Sequence, residues 1–73
     1  MIGERKSEKE WLRLIQAEYL EMPGLHLTRP QVQRMWGLES RLCDTLLAAL
    51  LVANVLRKTD HDTFALSIDG RRL

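Results

Sequence analysis

Few side chains in this sequence are of types that do covalent chemistry. There is one cysteine, Cys43, and two histidines, His26 and His61. No nucleophile–base pair, glycine-rich phosphate loop or paired-carboxylate pocket stands out, so enzymatic activity is not expected and no cofactor is implied. A chain this small also rarely builds a deep pocket, so no small-molecule ligand is expected. His26 and His61 are far apart and lack a Cys or His partner at metal-site spacing, so no metal site is expected. Asp60-His61-Asp62 has the types to clasp a cation, but a solvated turn is the simpler reading. Cys43 has the chemistry of a redox switch. Its helical spacing with Leu46, Leu47 and Leu50 instead assigns it to a packed face. Trp11 and Trp36 have the surface to stack on bases. Both fall on apolar faces, and core anchoring is the expected role.

That leaves the cations. Residues 1–27 hold four basic and five acidic side chains, and residues 59–73 hold two and three. Residues 28–58 hold five (Arg29, Arg34, Arg41, Arg57, Lys58) and two (Glu39, Asp44), a surplus of 5 − 2 = +3. The net charge of the whole chain is only +1, so any attraction for a polyanion has to come from this one segment.

The elements that position these side chains can be read from caps and periodicity. "SEKEWLRLIQAEYLEMPG" opens with Ser7 and has Glu10 three places on, a capping box that satisfies two orphan N–H groups. Trp11, Leu12, Ile15, Tyr19 and Met22 fall near one face, with Lys9, Arg13, Gln16 and Glu21 opposite. Pro23-Gly24 ends this first helix, which spans about Ser7 to Glu21. "LHL", Leu25 to Leu27, alternates as a short strand does. "LTRPQVQRMWGL" repeats the start chemistry: Thr28 caps, Gln31 completes the box, and Leu27 and Val32 are placed as a hydrophobic staple. Pro30 sits in the first turn, where its missing N–H costs nothing. Val32, Met35 and Trp36 supply the apolar face, and Gly37 ends the second helix after about two turns. "ESRLCDTLLAALLVA" is the third helix, buried through Cys43, Leu46, Leu47 and Leu50, with Leu38 anchoring the turn before it. Asn54 is expected to end it in the left-handed conformation. "VLRKT" and "TFALSI" read as two strands around "DHD". Phe64, Leu66 and Ile68 alternate with Thr63, Ala65 and Ser67. Residues 1–6 and 69–73 read as frayed ends.

These elements make one domain, residues 1–73, of mainly helical α+β class. The apolar run from Thr45 to Leu56 is bounded by Asp44 and by Arg57-Lys58. It falls short of the ~20 residues a bilayer core needs, so no membrane partner is expected. One thiol and no segment resembling a secretory signal point to a reducing, cytoplasmic setting.

The order helix, short strand, helix, tight turn, helix, hairpin, carried by "LTRPQVQRMWGLESRLCDTLLAALLVANVLRKTDHDTFAL", resembles a winged helix-turn-helix. It is similar to the N-terminal domains of IclR-type and MarR-type bacterial regulators. It is closer still to small uncharacterised bacterial proteins with an "EMPGLxLTxPQ…WGL…C…L…L" signature. The resemblance covers Trp11 to Ile68. It implies three helices, a short strand and a C-terminal β-hairpin wing, with the exposed face of the third helix entering the major groove of double-stranded DNA. That face is Glu39, Ser40, Arg41, Asp44, Thr45 and Ala48. By the resemblance Arg41 reads guanine, and Ser40 or Thr45 touches phosphate or base edges. Arg29 and Arg34 hold phosphate oxygens, and Arg57 and Lys58 touch the backbone from the wing. If Arg29, Arg34, Arg41 and Lys58 each neutralise one phosphate, the salt slope is about −3.6. Affinity then falls roughly a hundredfold between about 50 and 200 mM salt.

The sequence also departs from that pattern. Glu39 and Asp44 set two negative charges on the reading face against Arg41, and the wing tip carries Asp60 and Asp62. Two functions therefore stand side by side. One is a dimeric DNA-binding module acting in transcription or plasmid maintenance. The other is a winged helix serving as a protein-interaction or dimerisation module. It would use the apolar residues Leu42, Leu51 and Val52, which lie off or at the border of the buried stripe, with Leu14 and Leu20 on the first helix as a further docking surface.

Overall fold

The computed structural model describes residues 6–67. Three helices and three strands follow in the order α1 (Glu8–Glu21), β1 (His26–Thr28), α2 (Arg29–Trp36), α3 (Ser40–Val52), β2 (Leu56–Lys58) and β3 (Thr63–Leu66). The strands form one antiparallel sheet in the order β1-β3-β2, so the last strand lies in the middle. The class is α+β with helix predominating. Ile68 and the expected frayed ends, apart from Lys6, lie outside the described residues.

Local chemistry explains where each helix starts and stops. Both expected capping boxes form. Ser7 Oγ accepts from the Glu10 N–H at 3.2 Å and Glu10 Oε1 accepts from the Ser7 N–H at 2.9 Å. Thr28 and Gln31 make the same reciprocal pair at 3.3 and 2.8 Å. Gly37 takes φ 62° just past α2, where the Leu38 N–H donates to the Gln33 carbonyl and the Gly37 N–H to that of Arg34. Asn54 takes φ 62° just past α3, where the Val55 N–H donates to the Leu50 carbonyl and the Asn54 N–H to that of Leu51. The two ends are the same device: a left-handed residue turns the chain so that the next N–H groups fold back onto orphan carbonyls. Ser67 then ties this end to the sheet, its N–H donating to the Val55 carbonyl at 2.9 Å and its hydroxyl to that of Asn54.

A Cβ built on Gly37 would meet nothing within 4 Å, so only backbone strain opposes a side chain there. Gly37→Ala is expected to cost about 1–2 kcal/mol, and Gly37→Asn distinctly less, because asparagine tolerates the left-handed region. Asn54→Gly should be neutral or slightly stabilising. Urea midpoints decide this; equal midpoints for the alanine and asparagine variants at Gly37 would refute the assignment.

The core lies where α1 and α3 meet the sheet. Ile15 and Tyr19 of α1, Val32 of α2, Leu38, then Cys43, Leu46, Leu47 and Leu50 of α3 pack with Leu56, Phe64 and Leu66. Trp11, Leu12, Leu25, Leu27 and Trp36 lie half-buried against this cluster. Both tryptophans therefore lie against the core, as their spacing indicates.

Several details differ from the sequence reading. Met22 is 47% exposed, because α1 ends at Glu21 and the backbone at Met22 leaves the helical path. Met35 is 45% exposed; the short α2 buries one stripe, through Val32 and Trp36, and Met35 sits on its shoulder. The strands are shorter than "VLRKT" and "TFALSI" suggest, and β1 begins at His26 rather than Leu25. Simple alternation also fails in β3, where Phe64, Ala65 and Leu66 are all buried. Ala65 pairs with His26 on one side and Arg57 on the other. Residues directly opposite across strands share a face, so two larger neighbours shield the small Ala65.

Candidate nucleic-acid interface

The turn Gly37–Glu39 sets the start of α3 against the start of α2. Glu39 occupies the N-cap of α3 but makes no side-chain cap hydrogen bond. The capping region is instead gripped from α2. Arg29 Nε donates to Asp44 Oδ1 at 2.5 Å, Nη2 donates to Ser40 Oγ at 2.9 Å and to the Ser40 carbonyl at 3.1 Å, and Nη1 donates to Gln33 Oε1 at 3.2 Å. Ser40 and Asp44 are four residues apart on one face of α3, which lets a single planar guanidinium reach both. The hydrogen bond from Arg29 holds the Asp44 carboxyl below the ordinary carboxylate range. The same bond raises the pKa of Arg29 further. The sign follows directly. Asp44 favours the folded state above the ordinary carboxylate range and loses that share as pH falls through its lowered value.

This clamp gives Arg29 an internal partner that the sequence does not announce. Four of its hydrogen bonds go to α2 and α3, so any phosphate would have to compete with them. It also changes the charge contest on α3. Asp44 is paired with Arg29, which leaves Glu39 opposite Arg41 as the unpaired charges among the described residues of that face.

The other expected residues divide. Ser40, Arg41 and Thr45 are all exposed at the start of α3, as is Arg34 on α2. Thr45 Oγ1 donates back to the Arg41 carbonyl at 3.0 Å and keeps its oxygen lone pairs available. Arg57 is exposed on β2. Lys58 Nζ lies 3.5 Å from Asp62 and 5.9 Å from the centroid of the Phe64 ring, so its charge is partly offset within the hairpin. Among the described residues, Arg34, Arg41 and Arg57 make no ion pair.

The hairpin is a three-residue loop. Asp62 takes φ 60°, its N–H donates to the Thr59 carbonyl at 3.1 Å, and the Thr59 N–H donates to the Thr63 carbonyl at 2.8 Å. Asp62 thus takes the left-handed place usually given to glycine in such loops. Asp60, His61 and Asp62 are all exposed in this turn. Thr28, Arg29, Pro30, Lys58, Asp62 and Phe64 line a groove of about 480 Å³ between the start of α2 and the hairpin.

Of the apolar residues assigned to a protein interface, Leu42 and Leu51 lie half-buried against the core. Val52 is 84% exposed. The three do not form one free patch, because the wide apolar face of α3 turns two of them inward. Cys43 is fully buried, and burial pushes its thiol up, against the pull of the Arg29 guanidinium. A thiol so placed is a packing group rather than a nucleophile.

The chain matches no family model, curated protein or solved structure. Among the described residues no helix is long and apolar enough to cross a membrane. None of their His, Cys, Asp or Glu side chains gather in threes as a metal site would require.

Proposed function

We propose that the chain is a winged helix-turn-helix module that binds double-stranded DNA. The observation that carries this reading is the chain path: α1-β1-α2-α3 followed by a hairpin, with β1 paired to β3 in a β1-β3-β2 sheet. That path sets α3 beyond a tight left-handed turn, with Ser40, Arg41 and Thr45 exposed at its start and Arg57 and Lys58 on the hairpin. In this reading Arg41 reads a base edge, Ser40 and Thr45 contact phosphate or bases, and Arg34, Arg57 and Lys58 hold the backbone. With Arg29 engaged by Asp44, the electrostatic part of binding is smaller than the sequence suggests. Three phosphate contacts, from Arg34, Arg57 and Lys58, give a salt slope of about −2.7, and a roughly fortyfold loss between about 50 and 200 mM salt. So small a set calls for two copies on paired half-sites if the protein is to select a sequence.

Fluorescence anisotropy with a random-sequence duplex tests this. Binding is expected at about 50 mM salt, with release by about 200 mM. Arg34→Ala combined with Arg41→Ala should abolish it. Absence of binding at about 50 µM protein in low salt would sink the reading, since even non-specific complexes of such proteins form below that range.

A second reading, a protein-interaction module of the same fold, draws on Val52 at 84% exposure, with Met22, Met35 and Leu20 also exposed. It is less well supported, because Leu42 and Leu51 contribute to the core instead.

A further inference from the structure

We infer that Asp44 is an internal competitor for the DNA backbone, occupying the edge of the Arg29 guanidinium that a phosphodiester would take. The inference rests on the DNA-binding reading and names how that site is limited.

The geometry is specific. Arg29 presents its Nε and Nη2 N–H groups to α3: Nε to the Asp44 carboxylate, Nη2 to Ser40. A guanidinium edge of two parallel donors matches two oxygens of a carboxylate or a phosphate. Asp44 supplies one oxygen to that edge and Ser40 supplies neutral acceptors, so the internal partner fills it less completely than a phosphate would. The pair is also open to exchange. Its side chains are 35% and 63% exposed, which makes it a surface ion pair, the class that adds least to stability. Arg29 also lines the groove between the start of α2 and the hairpin, and its side chain is 35% exposed, so part of it is open to solvent. Asp44 itself lies one turn along α3 from Ser40 and three residues from Arg41. It therefore acts twice against a polyanion: it holds a cation away and it adds a negative charge to the same surface.

Glu39 provides the comparison. It is exposed at the N-cap of α3, one residue before Ser40, and carries one negative charge, but no cation in the described residues pairs with it. Removing its charge relieves repulsion without releasing an arginine.

A double-mutant cycle on duplex binding separates the two effects. Asp44→Asn keeps an oxygen within reach of Arg29 Nε but removes the charge that holds it, so a phosphate can displace it, and melting followed by circular dichroism verifies the fold. Asp44→Ala repeats the measurement without that oxygen. Asp44→Asn is expected to raise affinity for a random duplex about tenfold at about 100 mM salt and to steepen the salt slope by about 0.9, the signature of one added phosphate contact. Arg29→Gln should change the affinity of the native chain less than about twofold, yet remove most of the gain in the Asp44→Asn background. Glu39→Gln should give a smaller gain that Arg29→Gln leaves intact. If Glu39→Gln matches Asp44→Asn, or if Arg29→Gln weakens the native chain as much as the Asp44→Asn chain, the competition is refuted while DNA binding stands. If neither the native chain nor Asp44→Asn binds duplex in low salt, the DNA-binding reading fails and the competition fails with it.

Discussion

Tyr19→Ala should leave the protein largely unfolded at room temperature, and Tyr19→Phe should weaken it measurably. Tyr19 is fully buried on α1, and its hydroxyl donates to the Phe64 carbonyl at 2.8 Å. That bond spans 45 positions and ties the first helix to the central strand. Truncation to alanine removes a large aromatic from a close-packed site, at a cost of about 3–5 kcal/mol. A core of this size supplies about 3–5 kcal/mol of net stability, so the two nearly cancel. Phenylalanine keeps the ring and loses the hydrogen bond, at about 1–2 kcal/mol. The same hydroxyl sets an alkaline limit. Burial pushes its pKa from 10.0 up to about 12. The folded state therefore keeps a proton that the unfolded chain releases first. Stability from this group is complete below pH about 10 and lost as pH rises through about 12, up to about 3 kcal/mol in all. Tyr19 is the sole tyrosine, so tyrosinate absorbance follows it alone. A native titration midpoint at the ordinary value would refute its burial. Tyr19→Phe should shift the alkaline unfolding limit upward relative to its own neutral-pH stability.

The second large effect contrasts two residues of α3. Leu46 is 1% exposed and Val52 is 84% exposed, six positions along one helix. Leu46→Ala should cost about 2–5 kcal/mol, through lost burial and the cavity left in the core. Val52→Ser should change stability by less than about 0.5 kcal/mol, since the side chain already lies in water. Urea unfolding measures both. The same serine variant also weighs the two proposed functions. Under the DNA-binding reading it leaves duplex affinity unchanged. Under the protein-interaction reading it lowers association, seen by sedimentation, without lowering stability.

Much of the local structure was legible because it is written in short-range chemistry. The capping boxes at Ser7 and Thr28 depend on residues three apart, and both form as read. Gly37 and Asn54 end their helices in the left-handed region because each tolerates a positive φ. Cys43, Leu46, Leu47 and Leu50 are buried together because a period near 3.6 carries them to one face. Burial departs from the sequence pattern where it depends on what lies opposite. Met22 and Met35 have apolar side chains, but no element covers them. Ala65 was expected on an exposed face, and it is buried because β1 and β2 flank it on either side.

The candidate site shows the same division more sharply. The side chains Ser40, Arg41 and Thr45 were located from sequence because a short exposed stretch at a helix start needs no long-range information. The Arg29–Asp44 clamp was not, because its partners are 15 residues apart on different helices. Only the spacing of Ser40 and Asp44 hinted that they share a face. The sequence by itself determined the helices, their caps, the apolar stripes and the segment that carries the surplus charge, since each follows from interactions within a few residues. Only the tertiary structure decided that β1 joins β3 rather than remaining a lone extended segment, that Leu42 and Leu51 serve the core, and that Arg29 answers Asp44. Those outcomes depend on the angle at which α2 meets α3 and on which strand lies central. The packing of the whole chain sets both.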